Sequence, residues 1–504
     1  MKIAIRVDAS SQVGTGHFMR CLTLADALRR RGAQVRFISR HMPVYLRDML
    51  TTNGIEFASL ESDAEPTPLD ELAHAQWLGT GQVQDSQDTI RILSDKTWDW
   101  LIVDHYALDI RWENALRGST KKIMVIDDIA DRRHDCDLLL DQNFYSDMEK
   151  RYENLVPSQC VKLLGPKYAL LRPEFRKARE NLRKRDGRVS RIFVFFGGSD
   201  PTNETAKALE AIRLLGRPDI AVDVVVGAAN SHQDVIAAIC ESMPNTAYHC
   251  QVDNVAQLMA NADLAIGAGG SANWERCCLG LPSIIFSLAD NQSSGSEAIA
   301  LWGAHLYLGK REKVDTTLLL ASLEIALASP QLLQRMSDAG YAILDGKGAE
   351  RVSSRILSQP IEFRPAEKKD CDMIFNWRNA DESRYFSSST EPIPYETHVS
   401  WFDNALLDRD RAILIGEIDG EPAGVIRYDR KDERAIVSVY LVPGCKGKGL
   451  GVELISGGNQ WIENYWQIKT IDALINAENV ASIGAFEAAG FRKKNCVYSK
   501  FVGS

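Results

Sequence analysis

Short apolar runs alternate with amphipathic stretches from the first residue onward, and this alternation most limits what the chain can fold into. The run "KIAIRV" (2–7) is followed by "FMRCLTLADALRRRG" (18–32), in which Cys21, Leu24 and Leu28 fall on one helical face. The runs "LIVDHY" and "KIMVIDD" come later. Uninterrupted apolar runs between helices are typical of buried parallel strands that are covered by helices on both faces. The pattern therefore predicts a doubly wound α/β domain.

The same alternation restarts in a second block, and a third region differs from both. The charge-rich stretch 172–190 is interpreted as a linker or an exposed helix, and it precedes the strand-like runs "RIFVFFGGSD", "VDVVVGA", "LAIGAGG" and "PSIIFSL". From 361 onward the runs "AILIGEIDG" and "EPAGVIRYD" flank a hairpin turn, which favours a mostly antiparallel α+β unit. With 504 residues the chain is long enough for three domains. We expect them at 1–172, 188–357 and 361–504.

Composition and charge exclude several classes of protein. The net charge of −9 argues against binding to nucleic acid or to an anionic membrane surface. No apolar run approaches the ~18 residues of a spanning helix, and Arg6 and Asp8 interrupt the first run, so no signal peptide is expected. The ten cysteines are scattered without a C-x-x-C pattern, which favours buried thiols in a reducing cytoplasm.

No metal site is expected. The nine histidines form no cluster with metal-ligand spacing. The pattern "DCD" at Asp135–Asp137 resembles the D-x-D of some metal-dependent sugar-nucleotide enzymes, but a single D-x-D is common and precedes an apolar run here.

Two glycine-rich turns follow strand-like runs and are candidates for ligand contact. In the first, "VGTGH", Gly14 and Gly16 precede His17 at the expected start of a helix. From these residues alone a phosphate cradle, a catalytic histidine and a simple tight turn all stay open. In the second, "GAGGSANWE", a helix beginning near Ser271 would offer free N–H groups to a diphosphate. Glu275 follows Ser271 by four residues, whereas a capping box needs three, which favours a carboxylate that accepts from ribose hydroxyls.

The turns and their neighbours resemble a known family. The stretch 254–286 resembles the nucleotide-binding half of GT-B glycosyltransferases. The motifs "RVDASSQVGTGHFMRCLTLA", "LIVDHY", "FFGGSD" and "DNQ" together resemble the UDP-sugar hydrolases of pseudaminic acid synthesis, over about residues 1–355. The resemblance implies metal-independent hydrolysis of UDP-2,4-diacetamido-2,4,6-trideoxy-β-L-altrose to UDP and the free sugar.

The resemblance also implies roles for individual residues. His17 would be the general base for a water that attacks the anomeric carbon in a single, inverting displacement. From their positions at the ends of strand-like runs, where open α/β sheets bind ligands, Asp8 would orient His17 or the sugar, and Tyr106 would contact the sugar. The remaining residues expected to contact the UDP-sugar are Arg6, Gly14, Gly16, Gly197, Gly198, Ser199, Gly269, Gly270, Ser271, Asn273, Glu275, Asn291 and Gln292.

The last third resembles the GNAT-type N-acetyltransferases over residues 361–504. "CKGKGLG" matches the pyrophosphate loop Q/R-x-x-G-x-G/A of that family, with a lysine in place of glutamine or arginine, and "INAENVASIGAFEAAGF" resembles its second CoA motif. Consecutive N–H groups at a helix start would bind the CoA pyrophosphate. The residues that the resemblance assigns to acetyl-CoA are Leu441, Val442, Lys446, Gly447, Lys448, Gly449, Leu450, Gly451, Asn479 and Phe486.

The acid and base of the acetyl transfer are not fixed by the motifs. Phe486 stands where many relatives carry the tyrosine that protonates the leaving thiolate, and Tyr498 is the alternative nearby. Glu417 and Asp429 are candidates for the base. His398 is as consistent with packing as with substrate contact.

Joining the two resemblances predicts two consecutive steps in one chain. A GT-B-like pair of doubly wound Rossmann-type domains is followed by an α+β GNAT domain. The expected substrates are acetyl-CoA and UDP-4-amino-4,6-dideoxy-N-acetyl-β-L-altrosamine, whose acetylated product the hydrolase would then consume. Such a protein would act in the cytoplasm, in a pathway that supplies flagellin glycosylation. The alternatives are an inverting glycosyltransferase, a protein or ribosomal-type N-acetyltransferase, and a non-catalytic sugar-nucleotide sensor.

Overall fold

A computed structural model of the chain describes residues 1–10, 12–60, 70–145, 147–358, 361–384, 391–418, 420–445 and 450–493. The chain divides into two compact units, Met1–Ile356 and Leu357–Ser504. Each unit has its own sheets and its own apolar core.

The first sheet has seven strands, all parallel, in the order β3-β2-β1-β4-β5-β6-β7. The strands are β1 (Lys2–Val7), β2 (Gln34–Ser39), β3 (Glu56–Ser59), β4 (Trp98–Asp104), β5 (Thr120–Ile126), β6 (Leu138–Asp141) and β7 (Val161–Leu164). The helices of this region are α1 (Gly16–Arg29), α2 (Val44–Thr52), α3 (Gln82–Leu93), α4 (Ile110–Leu116) and α5 (Pro173–Glu180), with 3₁₀ turns at Ala75–Trp77, Arg117–Ser119 and Pro166–Tyr168.

The second sheet of the first unit has six parallel strands in the order β10-β9-β8-β11-β12-β13. They are β8 (Arg191–Phe195), β9 (Ala221–Val226), β10 (Thr246–Cys250), β11 (Leu264–Ala268), β12 (Ser283–Ser287) and β13 (Leu306–Lys310). The helices are α6 (Glu204–Leu214), α7 (Gln233–Ser242), α8 (Val255–Asn261), α9 (Ala272–Cys278), α10 (Ser293–Leu301), α11 (Thr316–Ala328), α12 (Pro330–Ile343) and α13 (Gly348–Leu357), with 3₁₀ turns at Asp290–Gln292 and Arg311–Lys313.

The predicted strand-helix alternation is present because the apolar pattern buries both faces of each sheet. Every residue of β1 after Lys2 is buried. Helix α1 buries Phe18, Cys21, Leu24 and Leu28, which recur at helical spacing against the sheet. The chain then turns at Gly32, whose φ of +88° is a left-handed conformation that glycine adopts without strain.

Both sheets reverse their strand order beside the first strand of each block. In the first sheet β1 lies between β2 and β4, and in the second β8 lies between β9 and β11. Loops at the carboxyl ends of such neighbouring strands diverge and leave a crevice, where open α/β sheets bind ligands. The glycine-rich turns after β1, β8 and β11 all lie at these positions.

The stretch 172–190 connects the two sheets and contains the partly exposed helix α5, as expected, but it also packs against the second sheet through single buried side chains. Phe175 of α5 is fully buried. Arg185 is 4% exposed and donates to the carbonyl oxygens of Ala262 and Leu279. Its charge pattern suggested solvation, but the guanidinium groups bind carbonyl groups at helix ends instead.

The second unit contains one five-stranded sheet in the order β14-β15-β16-β17-β18. The strands are β14 (Glu362–Pro365), β15 (Arg411–Ile418), β16 (Glu421–Lys431), β17 (Arg434–Leu441) and β18 (Thr470–Ala473). The helices are α14 (Cys371–Asn379), α15 (Asp381–Arg384), α16 (Tyr395–Leu407), α17 (Leu450–Glu463) and α18 (Val480–Ala488), with a 3₁₀ turn at Lys368–Asp370. All pairs are antiparallel except β17 with β18, so the predicted, mostly antiparallel α+β unit is confirmed.

Three further expectations concern membranes, thiols and metals. Across the described ranges no single helix is long and apolar enough to span a membrane, although the bent pair Thr316–Ala328 and Pro330–Leu357 meets the length and composition criteria together. The nine cysteines in these ranges carry free thiols. Within the same part of the chain no three His, Cys, Asp or Glu side chains converge as metal ligands. The carboxylates of Asp135 and Asp137 both accept from Arg117.

Candidate active site

The loop after β1 presents His17 at the carboxyl edge of the first sheet. Ser10 pairs with Gly14, whose N–H donates to the Ser10 carbonyl at 2.8 Å and whose φ is +75°. Helix α1 begins at Gly16, with no side-chain cap from Thr15. Its first N–H groups and the His17 ring are therefore available at the crevice.

His17 is hydrogen-bonded to a buried carboxylate at the end of β4. Its Nδ1 lies 2.6 Å from Oδ1 of Asp104. Although burial opposes ionisation, the charges of Arg20 and His17 hold the pKa of Asp104 well below its usual value. When Nδ1 donates to Asp104, Nε2 is the ring nitrogen that is left to act as a base. The pair has the geometry of a histidine base and its orienting carboxylate.

Arg20 and Asp128 fix this pair in place. Arg20, one turn after His17, donates from Nε and Nη2 to both oxygens of Asp104 at 2.6 Å. Its Nη1 donates to Asp128 Oδ2 at 2.8 Å, and the other oxygen of Asp128 accepts from the Tyr106 hydroxyl. Burial and the Asp128 charge raise the pKa of Tyr106, so its hydroxyl stays protonated and donates.

Tyr106 reaches the site with its ring rather than with a free hydroxyl. Its side chain is 4% exposed, and its ring meets that of His17 edge to face at a centroid distance of 4.7 Å. Because the hydroxyl is engaged by Asp128, the predicted contact with the sugar would involve the ring of Tyr106.

Arg6 and Asp8 do not reach the cleft, which corrects the expectation for both. Arg6 is fully buried and donates to Asp8 and Asp85. Asp8, also fully buried, accepts from Ser39 and lies 3.2 Å from His105. Instead of orienting His17, the buried ion pairs of this network stabilise the end of β1.

Sequence reasoning missed residues that the structure brings to His17. The sequence motifs assign no role to Asp104, Arg20 or Asp128. Their signal is weak but real, since each is polar and follows or faces the end of a buried parallel strand. His74 and Trp77, whose rings lie beside Tyr106, carry no motif at all.

The loops of the second sheet approach the first-sheet loop closely. A Cβ placed on Gly16 would lie 3.9 Å from Ser271 Oγ, and one placed on Gly198 would lie 3.7 Å from Thr15 Oγ1. Gly197 has a φ of +97°, and Ser199 follows it, half-buried. The predicted turns from both sheets therefore line one crevice.

Gly269, Gly270 and Gln292 are brought together. A Cβ on Gly269 would lie 3.1 Å from the Gln292 Cβ and 2.6 Å from Ser296 Oγ, so this close approach requires glycine. Gly270 has a φ of +88°, and Gln292 Oε1 accepts from the N–H of Leu288 at 3.0 Å. Asn291 beside it is exposed.

Helix α9 begins at Ala272 with Ser271 at its N-cap, as predicted. Its polar residues lie in different surroundings. Ser271 is exposed and makes no side-chain cap. Glu275 lies 3.4 Å from Arg172 in a partly buried position, and burial raises the pKa of its carboxyl. Asn273 is 3% exposed and accepts from Arg276, so it faces the core and not the predicted ligand.

Within the described residues of the second unit, the strand that precedes the predicted CoA loop has an open edge. The ladder between β17 and β18 covers Arg434–Val437, and residues 438–441 lie beyond it. Leu441 ends β17, and Val442 N donates to Ala423 O at 3.0 Å. The predicted CoA residues Lys446, Gly447, Lys448 and Gly449 lie outside the described residues, as does Tyr498.

The remaining predicted CoA residues serve mainly helix packing. Leu450 begins α17 and is buried, and Gly451 brings α17 close to α18. Asn479 caps α18 by accepting from Ser482 N at 3.1 Å. Phe486 is 5% exposed and meets Phe491 at 5.0 Å in the core, which corrects its assignment as a CoA contact.

The candidate bases of the second unit are ion-paired. Glu417 accepts from Arg364 at 2.7 Å, and Asp429 accepts from Arg411. His398 is 2% exposed and bonds the Cys371 carbonyl at 3.1 Å, which favours its packing role.

Comparisons with known proteins also divide the chain into a glycosyltransferase-like region and a following acetyltransferase-like region. Residues 191–352 match the glycosyltransferase family 28 C-terminal domain, and residues 361–492 match the acetyltransferase (GNAT) domain. An uncharacterized protein of Methanocaldococcus jannaschii is 24% identical and covers 98% of this chain and 97% of its own length. The spore coat polysaccharide biosynthesis protein SpsG of Bacillus subtilis is 26% identical over 70% of this chain and 97% of its own.

A third relative is a UDP-sugar hydrolase of the kind that the sequence motifs resemble. The UDP-2,4-diacetamido-2,4,6-trideoxy-beta-L-altropyranose hydrolase of Campylobacter jejuni is 28% identical over 54% of this chain and 87% of its own. The two family matches and the strand orders agree with the predicted combination of doubly wound α/β domains and a GNAT-type α+β domain.

Proposed function

We propose that the first unit hydrolyses a UDP-linked 2,4-diacetamido-2,4,6-trideoxy-β-L-altrose, and that the second acetylates its 4-amino precursor with acetyl-CoA. These would be consecutive steps of pseudaminic acid biosynthesis. Homology to a hydrolase of this kind and to the GNAT domain supports both activities.

The observation that carries the hydrolase proposal is the His17–Asp104 pair at the mouth of the crevice. Nε2 of His17 takes the proton of a water as its oxygen attacks the anomeric carbon. The bond between that carbon and the β-phosphate oxygen breaks, and UDP leaves with the electron pair. One displacement inverts the configuration and needs no enzyme carboxylate as nucleophile.

The turns of the second sheet would hold the departing diphosphate. Backbone N–H groups at Gly198, Gly270 and Ser271 are suited to the negative charge that develops on UDP. Glu275 would accept from the ribose hydroxyls.

In the second unit the substrate amine attacks the thioester carbon of acetyl-CoA. The C–S bond breaks, the acetyl group passes to nitrogen, and the amine proton is lost while the CoA thiolate gains one. The open edge of β17 and the start of α17 would bind the cofactor.

Hydrolysis in ¹⁸O-labelled water tests the first activity. We expect label in the released sugar and none in UDP, without an added acceptor and unchanged by EDTA. Release of UDP only when an acceptor alcohol is present would identify a glycosyltransferase instead, and binding without release would indicate a sensor.

Thiol release from acetyl-CoA tests the second activity. We expect CoA to appear with the UDP-4-amino sugar and not with an N-terminal ribosomal peptide. The reverse preference would assign the second unit to protein acetylation.

A further inference from the structure

A half-exposed tryptophan lies beside the candidate base and has no role in the proposed mechanism. Trp77 ends a 3₁₀ turn, and its ring centroid is 6.4 Å from that of His17, edge to face. It stacks on Tyr106 at 5.6 Å with an interplanar angle of 28°. His74 packs against both rings, at 4.4 Å from Trp77 and 5.3 Å from Tyr106.

The segment that carries Trp77 is held in place. Asp70 at its start accepts from Arg111 and from Gln82. At its end Gly79 approaches so near to His41 that an added Cβ would lie 2.4 Å from the imidazole Nε2. Leu78 is buried in the core beneath the segment. The indole is thus a fixed part of the crevice and not a loosely held surface side chain.

The distance from His17 to Trp77 can be compared with the expected distance from His17 to the reacting carbon of the substrate. A water activated by His17 sits about 3 Å from Nε2, and the carbon it attacks is about 3–3.5 Å further on. The anomeric carbon therefore lies about as far from the imidazole as the indole does. A sugar ring that extends from that carbon toward Trp77 would pack against the indole.

We infer that Trp77 is a specificity-determining residue that packs against the apolar side of the sugar, and that it selects 6-deoxy sugars over their 6-hydroxylated counterparts. The inference rests on the proposed function, because it places the sugar at His17. An indole face satisfies C–H and methyl groups and offers no partner to a hydroxyl, which must be desolvated on contact. Burial lowers the pKa of His74, so its ring beside Trp77 is uncharged at neutral pH.

Equilibrium binding on a His17→Asn background separates recognition from turnover. The probes are UDP, UDP-N-acetylglucosamine and a UDP-linked 2-acetamido-2,6-dideoxyhexose, measured by titration calorimetry. With Trp77 present, we expect the deoxy sugar to bind about tenfold more tightly than its 6-hydroxylated counterpart, which is the size of effect that one apolar group supplies. Trp77→Ala should abolish the preference and leave UDP affinity within about twofold.

Two variants control for structure. Trp77→Phe keeps an aromatic face and should retain most of the preference, and it also serves if the alanine variant folds poorly. Val83→Ala, at an exposed position of α3, should change nothing.

The outcomes are decisive in both directions. A preference that survives Trp77→Ala, or a loss that is equal for UDP alone, overturns the inference. A Trp77-dependent binding preference, found together with no hydrolysis of the UDP-2,4-diacetamido sugar by the parent chain with His17 intact, would keep the inference and defeat the proposed hydrolysis. Hydrolysis whose sugar preference does not depend on Trp77 would keep the proposed hydrolysis and overturn the inference.

Discussion

Asp104 collects three donors on one buried carboxylate: the ring N–H of His17, the guanidinium of Arg20 and the thiol of Cys21. His17 could be predicted because the glycine turn before it resembles a known motif. The partners could not, since Asp104 is 87 residues away from His17 in the chain, and Asp128 lies 108 residues from Arg20. Such contacts follow from strand order, which short motifs do not encode.

Replacing the base and its orienting carboxylate gives the first prediction. His17→Asn should lower hydrolysis by about 10²–10⁴-fold, and Asp104→Asn should act similarly because the imidazole loses its fixed tautomer. UDP affinity, measured by calorimetry, should change little in either variant. Asp219→Asn, at an exposed carboxylate, is the matched control. Hydrolysis within tenfold of the parent in the His17 variant would remove it as the base.

A buried carboxyl near the site gives a second, pH-dependent prediction. Burial and the Asp128 charge raise the pKa of Asp141 to about 7, above its unfolded value of 3.8. The native state therefore binds a proton more tightly than the unfolded chain does. The resulting stability is full below pH 3.8 and is lost as pH rises through 7.

Asp141→Asn mimics the protonated form and should stabilise the chain at pH 8 by ~1–3 kcal/mol, but much less at pH 5. Urea unfolding of the two proteins at both pH values measures this. An equal difference in the free energy of unfolding at pH 5 and pH 8 would contradict it.

At the scale of elements, the predictable features were those with a period or a turn signal. The parallel strands, α1 and the hairpin between β15 and β16 followed from apolar spacing and glycine turns. The packing of 172–190 and the position of the segment 70–82 beside His17 did not follow from such patterns. Both depend on side-chain partners that are distant in the sequence. Glycines at which two backbones approach closely cannot be recognised from the sequence either, and Gly227 is one of them.

Gly227→Ala tests the contact between the loops after β8 and β9. Its Cβ would lie 2.3 Å from the carbonyl oxygen of Gly198, so the loop 197–199 must shift. We expect UDP affinity to fall about tenfold or more, because a displaced loop no longer offers its N–H groups. Gly118→Ala, where the added methyl meets open space, is the control. Unchanged calorimetric affinity would show that this loop does not contact the nucleotide.

At the scale of the molecule, each unit has its own sheet system and its own apolar clusters. The two-part organisation was visible in the sequence as a change from parallel to antiparallel patterning. The substrate that links the parts was not, since it depends on a few loop residues.

Separate expression of residues 1–358 and 359–504 tests this independence. Each piece should give a cooperative thermal transition by circular dichroism, because neither depends on the other for its core. The first piece should retain hydrolysis and the second acetyl transfer, each within a few-fold of the full chain. His17→Asn in the full chain should leave acetyl transfer intact. Loss of either transition on separation would contradict the division.

The arrangement of the first unit's crevice has a consequence for how such proteins diversify. His17 and Arg20 on α1, Asp104 at the end of β4 and Asp128 after β5 all accompany the first sheet, whereas the turns at Gly198 and Gly270 belong to the second. Changes confined to one set can leave the strands that hold the other set in place, except where Gly16 faces Ser271 and Gly198 faces Thr15. A lineage could therefore exchange its nucleotide carrier or its sugar by loop replacement alone, without rebuilding the chemistry that cleaves the bond between them.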